Sequence, residues 1–484
     1  MTAQASTRLI LILTPALFGG MVRITPMAQA LTLLELSERS GEPVERLATW
    51  RSAGLIGQES TDLYTSDDLR RIRLTQFLVR QGFEVETIAQ AKREAGLVTS
   101  YVELLSSGDI GRTYSLEEAS AKLGWTVLTI RSFLEAMGFT EQDAWIDDDD
   151  LRALETLKSA KEAGFPEDTL IQLVRVYVDT LGRVAEAEVR LFHFHIHEPL
   201  RAQGLSAQEV LEASTEARQR GRSLMEPALL YFHRRGLERA MREDALLHLQ
   251  EDADRSDPSS QLRAAVVFVD LSSFTSLAEA MGDDAAAEVL DRYGRLVREA
   301  VGRNDGRVVK QIGDGFLLLF PKPHDALTCA FTIEARAAAE SQFTAVRSGI
   351  HWGPVLYREG DYLGTTVNVA SRLVDAAARH QVLVTEAVRK EVGSVPGVVF
   401  VPLGKRHLRG LSGEVELFEA VAGKSQRAWE RPVDPVCGME LQVEEVAARL
   451  LVDGTERSFC SQDCLRRFVA APERYVQPGS TGSV

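Results

Sequence analysis

Cysteine is scarce in this chain of 484 residues, which contains four of them. So few thiols exclude a fold held together by disulfides at this length. Basic residues are also in deficit, with 55 lysines and arginines against 70 acids and a formal net charge of −15. An acidic surface repels phosphate backbones, so nucleic-acid binding would need a local basic patch.

The chain also lacks an uninterrupted apolar run of membrane-spanning length. Its most apolar segment, residues 9–22, is broken by Pro15 and two glycines, and Arg8 is its only charge on the N-terminal side. It is therefore too short for a comfortable transmembrane helix and makes a poor signal peptide. We favour a translation start at Met21 or Met27 over a membrane role. We expect residues 1–27 to be poorly structured, with no stable membrane insertion and a cytoplasmic location.

Apolar periodicity predicts a multidomain chain with an all-α front half, an α+β domain and a small cysteine-containing C-terminal module. Residues 28–97 and 113–250 have helical patterns, and the polar stretch 251–261 is predicted to be a linker. Residues 262–423 mix strands with helices, and residues 432–478 hold three of the four cysteines. The fourth, Cys329, lies in an apolar helical pattern and is interpreted as a core residue.

The two helical blocks have the features of an internal repeat. Asp67-Asp68-Leu69 recurs as Asp149-Asp150-Leu151, and Gly82-Phe83 recurs as Gly164-Phe165, both 82 positions later. Each copy is predicted to contain two short helices, a longer helix with aspartate at its start, and a Gly-Phe stop. Further along, the apolar spacing from Leu224 onward predicts a long helix leading toward the α+β block.

Two aspartates stand at the ends of predicted strands in the α+β block. Six apolar residues, 264–269, lead into Asp270, and a Gly-Asp-Gly bend around Asp314 joins two further strands in a hairpin. Carboxylates on adjacent strand ends can hold a pair of Mg²⁺ ions, which phosphoryl chemistry uses to neutralise developing charge. Taken alone, either aspartate could simply cap its turn.

Three motifs in order make the α+β block resemble the class III adenylate and guanylate cyclases. Residues 268–275 (FVDLSSFT) resemble the first metal motif, residues 310–314 (KQIGD) the second metal motif with its base-recognition lysine, and residues 361–372 (DYLGTTVNVASR) the transition-state segment. The resemblance covers about 160 residues. It implies an α+β, ferredoxin-like catalytic domain over residues 262–423 that converts ATP to cyclic AMP and pyrophosphate.

The resemblance also assigns roles on one side of the site. Asp270 and Asp314 would hold two Mg²⁺ or Mn²⁺ ions, and Lys310 with Asp361 would recognise adenine. A lysine donor suits the ring N1 acceptor, and an aspartate acceptor suits the exocyclic amine. Guanine would mispair both groups at a cost on the order of 1–3 kcal/mol each, which favours ATP over GTP.

The remaining assignments imply a second copy of the chain. Asn368 and Arg372 are four residues apart, so they share one face of a helix. In the family they orient the ribose and stabilise the reacting phosphate, and they come from the opposite subunit. A chain that carries both half-sites would therefore work as a homodimer. Arg409 falls where the family often has a basic residue for the triphosphate.

The C-terminal block resembles the YHS domain, a small metal-associated module. Residues 434–439 (DPVCGM) and 459–464 (FCSQDC) carry the resemblance, although Arg457-Ser458-Phe459 replaces the tyrosine-histidine feature that names such domains. The thiolates of Cys437, Cys460 and Cys464 suit Zn²⁺ or Cu⁺, with Asp434 as a candidate fourth ligand. The alternative is a small module with reduced, buried thiols.

The front half resembles two known kinds of domain. Residues 28–97 resemble a MerR-type winged helix-turn-helix, but residues 31–83 hold seven arginines against eight acids, so contact with protein is favoured over DNA binding. Residues 113–250 resemble the regulatory region found upstream of some actinobacterial cyclases. His193, His195 and His197 could sense pH or simply decorate a packed helix. We therefore predict an adenylate cyclase under N-terminal control, the alternative being a DNA-binding regulator whose cyclase block only senses nucleotide.

Overall fold

The computed structural model describes residues 31–57, 63–95, 114–139, 145–253, 262–411, 413–423 and 431–475, which fall into two compact units, Met1–Ala253 and Asp254–Val484. The segment 1–27, expected to be poorly structured, lies outside the described residues, as does most of the predicted linker. No helix in the described part of the chain is both long enough and apolar enough to cross a membrane.

The first unit is helical, with one small exception that the sequence did not predict. Leu31 pairs with Tyr64 in an isolated bridge, and the strands β1 (Tyr114–Ser115) and β2 (Trp145–Ile146) form an antiparallel pair. Buried side chains at these positions attach the pairs to two separate helical cores. The helices are α1 (Leu33–Ser40), α2 (Val44–Ser52), α3 (Ser66–Arg80), α4 (Val85–Ala95), α5 (Leu116–Leu123), α6 (Val127–Ala136), α7 (Asp148–Glu162), α8 (Glu167–Phe192), α9 (Glu198–Ala202) and α10 (Ala207–Ala253).

The repeat is visible in the helix ends. Capping boxes begin α1 at Thr32 and α5 at Ser115, and they recur at the start of α3 and α7. Helices α1 and α5 end on glycines with nearly the same left-handed conformation, Gly41 at φ 69° and Gly124 at φ 68°. The strand pairs also recur 82 to 83 residues apart, so each copy is a helical unit closed by a short β-contact.

The long helix before the second unit begins earlier than the sequence suggested. It starts at Ala207 rather than near Leu224, contains Pro227, and runs through Ala253 into the stretch predicted to be a linker. Residues 207–220 are rich in alanine, glutamate, glutamine and arginine, which favour helix regardless of burial. Proline removes one helical N–H, but the flanking turns continue the helix.

A seven-stranded sheet organises the second unit. Its order is β10-β11-β9-β6-β3-β5-β4, and every neighbouring pair is antiparallel except β6 with β9. This arrangement of strands and helices confirms the predicted α+β domain, while the narrower ferredoxin-like description stays a prediction. The strands are β3 (Arg263–Leu271), β4 (Arg307–Ile312), β5 (Gly315–Phe320), β6 (Val346–Pro354), β9 (Val382–Thr385), β10 (Val398–His407) and β11 (Glu414–Ala422), with β7 (Leu356–Arg358) and β8 (Asp361–Leu363) in a separate hairpin.

The central strand β3 has two differently covered faces. Ala265, Val267 and Val269 lie in the main core with side chains of the helices α11 (Phe274–Met281), α12 (Asp283–Arg303) and α13 (Pro323–Ala339). Ala264 and Val266 face a smaller cluster that includes Ala370 of α14 (Thr365–Ala376). Because strand side chains alternate, Asp270 belongs to this second, more open face. A short helix, α15 (Glu386–Val392), follows β9.

The cysteine-containing module packs into the same main core. It consists of the hairpin β12 (Ala448–Val452) and β13 (Thr455–Phe459), the helix α16 (Gln462–Ala470) and short 3-10 turns. Cys329 is buried in this core, as predicted. The module's contribution to the shared core consists of Val436, Cys437, Met439, Leu441, Phe459, Cys464 and Phe468.

Candidate active site

Asp270 and Asp314 lie side by side at the end of β3 and in the turn after β4. Val269 pairs with Phe316, and Ile312 pairs with Gly315 across a two-residue turn whose first residue, Gly313, has φ +61°. That positive φ is what a tight hairpin turn of this kind needs from glycine. A Cβ on Gly315 would lie 3.4 Å from Oδ1 of Asp270, so glycine leaves space beside the carboxylate.

The negative charge of Asp270 acts on the neighbouring carboxyl group of Asp314. Burial, followed by the negative charge of Asp270, raises the pKa of Asp314 to about 6. Two neighbouring carboxylates cannot both ionise cheaply without a cation between them. The pair therefore has the electrostatic character of a divalent-cation site.

Arg347 and Tyr293 complete this region and were not predicted from the sequence. Arg347 lies opposite Asp270 in the β3–β6 register, and its Nη2 donates to Oδ2 of Asp270 at 2.7 Å. Its Nε and the Tyr293 hydroxyl are buried and have no hydrogen-bond partner within the described residues. Burial and then the charges of Asp270 and Asp314 hold the pKa of Tyr293 well above its usual value. Arg347 is the single arginine of β6, and nothing else in the local sequence distinguished it.

Lys310 and Asp361 are brought together from distant parts of the chain. Lys310 follows a register shift after Val308 in the edge strand β4, and Asp361 opens β8. Their side chains form an ion pair and remain 40% and 33% exposed, so a ligand can reach both. The Tyr362 N–H donates to the second oxygen of Asp361 at 2.9 Å, which fixes the orientation of that carboxylate.

No hydrogen bond or ion pair found among the described residues joins the other predicted residues to this cluster. Asn368 and Arg372 are both exposed on α14, and Arg372 donates to Asp375 of its own helix at 2.9 Å rather than to the aspartate pair. Arg409 is exposed in the connection between β10 and β11. One chain therefore presents a carboxylate group and a distinct amide–guanidinium helix face.

The C-terminal cysteines form a second, closed cluster. Sγ of Cys460 lies 3.5 Å from Sγ of both Cys437 and Cys464, and ligand atoms of these three and Asp434 lie within 4.8 Å of one another. Hydrogen bonds from Cys437 and Cys460 lower the pKa of Cys464, which favours a thiolate there. Asp434 is fully buried and already accepts from the N–H groups of Val436 and Cys460 at 2.8 and 2.7 Å.

Three families of known domains match this chain. The adenylate and guanylate cyclase catalytic domain matches residues 258–420, the adenylate cyclase regulatory domain residues 63–234, and the YHS domain residues 433–479. An adenylate cyclase from Streptomyces coelicolor is 30% identical over 288 residues, covering 58% of this chain and 72% of its own length. The chain belongs to the adenylate cyclase family.

Two further proteins are similar to this chain. A pH-sensitive adenylate cyclase from Mycobacterium tuberculosis is 26% identical over 376 residues, which cover 75% of this chain and 91% of that protein. The crystal structure of the adenylyl cyclase CyaB from P. aeruginosa is 21% identical, covers 33% of this chain and 93% of its own, and has a TM-score of 0.30. The cyclase makes cyclic AMP from ATP, and the predictions of a cyclase catalytic domain, a regulatory domain and a YHS domain are confirmed.

Proposed function

We propose that the cyclase works by two-metal catalysis at sites shared between two copies of the chain. The observation that carries the proposal is the juxtaposition of Asp270 and Asp314, with the pKa of Asp314 raised to about 6 by burial and by its neighbour. An oxygen donor set of this kind suits Mg²⁺ or Mn²⁺. Cations held there would supply Lewis-acid stabilisation to the ribose 3′ oxygen and to the departing pyrophosphate.

The chain's own residues would orient the nucleotide. Lys310 would donate to adenine N1 and Asp361 would accept from the exocyclic amine, because the two groups already lie together and exposed. Arg347 donates to Asp270 at 2.7 Å, so it would hold that carboxylate in position for the cations. Asn368 would orient the ribose, Arg372 would stabilise negative charge on the reacting phosphate, and Arg409 would contact the triphosphate.

The placement of the two half-sites on one chain supports a site shared between two copies. Asp270 shares the open face of β3 with the cluster that contains Ala370 of α14, the helix that carries Asn368 and Arg372. A two-fold interface uses the same patch on both partners, so each half-site can meet the complementary half-site of the other copy. Arg372 would exchange Asp375 for substrate phosphate in that arrangement.

Mixing two inactive variants tests the shared site. Asp314→Asn removes the metal half-site and Arg372→Ala removes the other half-site, so we expect each homodimer to be inactive. A heterodimer of the two keeps one intact site, and a 1:1 mixture should recover about a quarter of wild-type cyclic AMP synthesis with Mn²⁺. The matched control mixes Asp314→Asn with Asp270→Asn, which damage the same half-site and should give no recovery. Equal behaviour of the two mixtures would contradict the proposal.

We also propose that the C-terminal cysteines hold a soft metal. Tetrahedral zinc–thiolate bonds of about 2.3 Å place sulfurs about 3.8 Å apart, close to the spacing found here. Three cysteines suit Zn²⁺ or Cu⁺, and the two N–H groups that already donate to Asp434 favour a structural role for its carboxylate. Metal content of the purified full chain, compared with Cys460→Ser, tests this assignment.

The front half would regulate the catalytic unit. His193, His195 and His197 lie in a π-helical turn, with the rings of His193 and His197 stacked at 5.5 Å. Burial and then the charge of His193 lower the pKa of His197, against an opposing effect of Glu198 and further lowering by Arg201 and Arg218. Acid would charge the ring against these cations and disturb the turn. A His197→Gln variant should flatten the pH profile of the full chain toward that of the second unit alone, Asp254–Val484, which lacks His197.

The helix-turn-helix resemblance is retained only as a proposal for the fold of residues 28–97. Helices α1 and α2 meet at the left-handed Gly41, and the bridge between Leu31 and Tyr64 follows the pattern of a small wing. The near balance of seven arginines and eight acids over residues 31–83 favours contact with protein over DNA. A mobility-shift assay at low salt checks the DNA-binding alternative.

A further inference from the structure

The C-terminal module is built into the catalytic domain. Its buried residues share one core with the sheet and its helices, and two polar contacts extend the join: Glu440 N–H donates to the Phe343 carbonyl at 2.9 Å, and Arg467 donates to the Glu279 carbonyl at 3.2 Å. The Phe343 segment leads directly to Ala345, whose carbonyl accepts from Ser272 N–H at 2.7 Å. One strand-like segment therefore touches both the module and the loop after Asp270.

A closer contact joins Gly438 of the module to Ser273. Ser273 is the residue between the Asp270 strand and α11, and it is held at φ 68°, a conformation that costs a residue with a side chain. Gly438 has φ +74°, and a Cβ placed on it would lie 2.5 Å from the Cβ of Ser273. Only glycine fits against the loop at this distance.

Arg379 clamps the same contact. Its Nη1 donates to Oγ of Ser273 at 3.3 Å, and its Nη2 donates to the Gly438 carbonyl at 3.0 Å and to Oε1 of Glu440 at 3.1 Å. Glu440 is 7% exposed and also pairs with Nε2 of His380 at 2.5 Å, so the module supplies a buried anion for two cations of the catalytic domain. Such an anchored guanidinium loses little freedom when it bridges two segments.

The cysteine cluster lies one residue away from this contact. Cys437 precedes Gly438, and its sulfur lies 3.5 Å from that of Cys460 in the following hairpin. A metal bound to the three thiolates would therefore fix the backbone that presses on Ser273.

We propose that the C-terminal module is a positioning element of the cyclase site: Gly438 and Glu440 hold the Ser273 loop, and with it Asp270, and a metal at the cysteine cluster keeps Gly438 in place. The proposal rests on the proposed role of Asp270 in metal binding. Because small misplacements of catalytic groups are costly, loss of the contact should lower turnover by about tenfold to a hundredfold.

Two glycines of the module give a matched pair of variants in the full chain. Gly438→Ala and Gly454→Ala both add a Cβ at positive φ, +74° and +75°, but nothing lies within 4 Å of the position that Cβ would take at Gly454. We expect Gly438→Ala to reduce kcat and raise the Mn²⁺ concentration needed for half activity, with an unchanged KM for Mn²⁺-bound ATP at saturating Mn²⁺. Gly454→Ala should change each by less than about twofold. Equal effects of the two variants would overturn the proposal.

Hydrogen exchange gives a readout that does not depend on activity. Peptides covering residues 270–281 should exchange faster in Gly438→Ala than in Gly454→Ala, and also in wild-type protein stripped of metal, with Zn²⁺ restoring protection. If Gly438→Ala does not fold, Glu440→Gln replaces it, with the exposed Glu444→Gln as its control. Unchanged exchange in these peptides overturns the positioning role, and indifference to Zn²⁺ overturns the part assigned to the cysteines. A wild-type chain that makes cyclic AMP but fails the mixing experiment would refute the proposed shared site alone.

Discussion

The catalytic unit contains two clusters of potential metal ligands that differ in almost every physical respect. Asp270 and Asp314 offer oxygen donors and are each only partly buried. Cys437 and Cys464 offer sulfur donors at 0% and 2% exposure inside the shared core. An open site with few protein ligands suits a reaction, whereas a closed thiolate site suits structure. Exposure and donor type together therefore distinguish the proposed catalytic cluster of aspartates from the proposed structural cluster of cysteines.

The largest loss of cyclic AMP synthesis is expected from a substitution of Asp314. Asp314→Asn removes a charge that cations need, so cyclic AMP synthesis with saturating Mn²⁺ should fall by about a thousandfold or more. Cys464→Ser should cost about tenfold, because it acts only through the position of the Ser273 loop. Steady-state assays on both full chains measure the difference, with the exposed Asp284→Asn as a control that should retain wild-type activity. A larger loss in Cys464→Ser than in Asp314→Asn would reverse the assignment of the two clusters.

A second prediction concerns Lys310 and Asp361, the residues proposed to recognise adenine. Replacing Lys310 with Glu and Asp361 with Cys, the pair typical of guanylate cyclases, should lower kcat/KM for ATP about a hundredfold and raise that for GTP. Because Lys310 and Asp361 are proposed to recognise adenine as a pair, each single variant should be impaired with both nucleotides. Parallel assays with ATP and GTP provide the measurement. A double variant that keeps its preference for ATP would show that adenine is recognised elsewhere.

A third prediction uses pH to probe the carboxylates. Burial and then the charge of Asp270 raise the pKa of Asp314 to about 6, so below that pH a proton competes with the cation. Mn²⁺ affinity without nucleotide should weaken toward about tenfold per unit as pH falls below 6. Calorimetric titration from pH 7.5 to 5 checks this, and excess Mn²⁺ should restore binding. Binding that does not change with pH would contradict the close approach of the two aspartates.

The positions of Asp270 and Asp314 could be predicted, because each depends on residues adjacent to it in the sequence. The run of six apolar residues before Asp270 predicted a strand exit there, and the Gly-Asp-Gly motif predicted a tight turn, in which Gly313 has φ +61°. Arg347 was missed because its partner lies 77 residues away and only the strand register brings them together.

The contact between the module and the catalytic domain was beyond sequence reasoning for a similar reason. Gly438 belongs to a recognisable DPVCGM motif, but nothing in that motif indicates that its neighbour is Ser273, 165 residues earlier in the chain. The start of the long helix α10 was placed too late, because apolar spacing from Leu224 onward was used although intrinsic helix propensity already favours helix from Ala207.

The smallest expected effect is on stability and comes from His380, which pairs with Glu440 of the C-terminal module. Burial disfavours its charged form, but hydrogen bonds and charges from Glu334 and Glu440 outweigh this and raise its pKa to about 9. A histidine with a raised pKa stabilises the fold fully below its unfolded value of about 6.5, and this contribution is lost as pH rises through 9. The contribution is at most about 3 kcal/mol.

Thermal unfolding of the full chain between pH 6.5 and 9.5 measures that contribution. Stability should decline over this window in the wild type and decline less in His380→Gln, with the exposed His324→Gln matching the wild type. The loss should be accompanied by lower hydrogen-exchange protection factors in residues 270–281, with base-catalysed intrinsic exchange divided out, because Glu440 holds Arg379 as well as His380. If stability falls with pH while those protection factors stay constant, His380 stabilises the module alone and the clamp on Ser273 depends on Arg379.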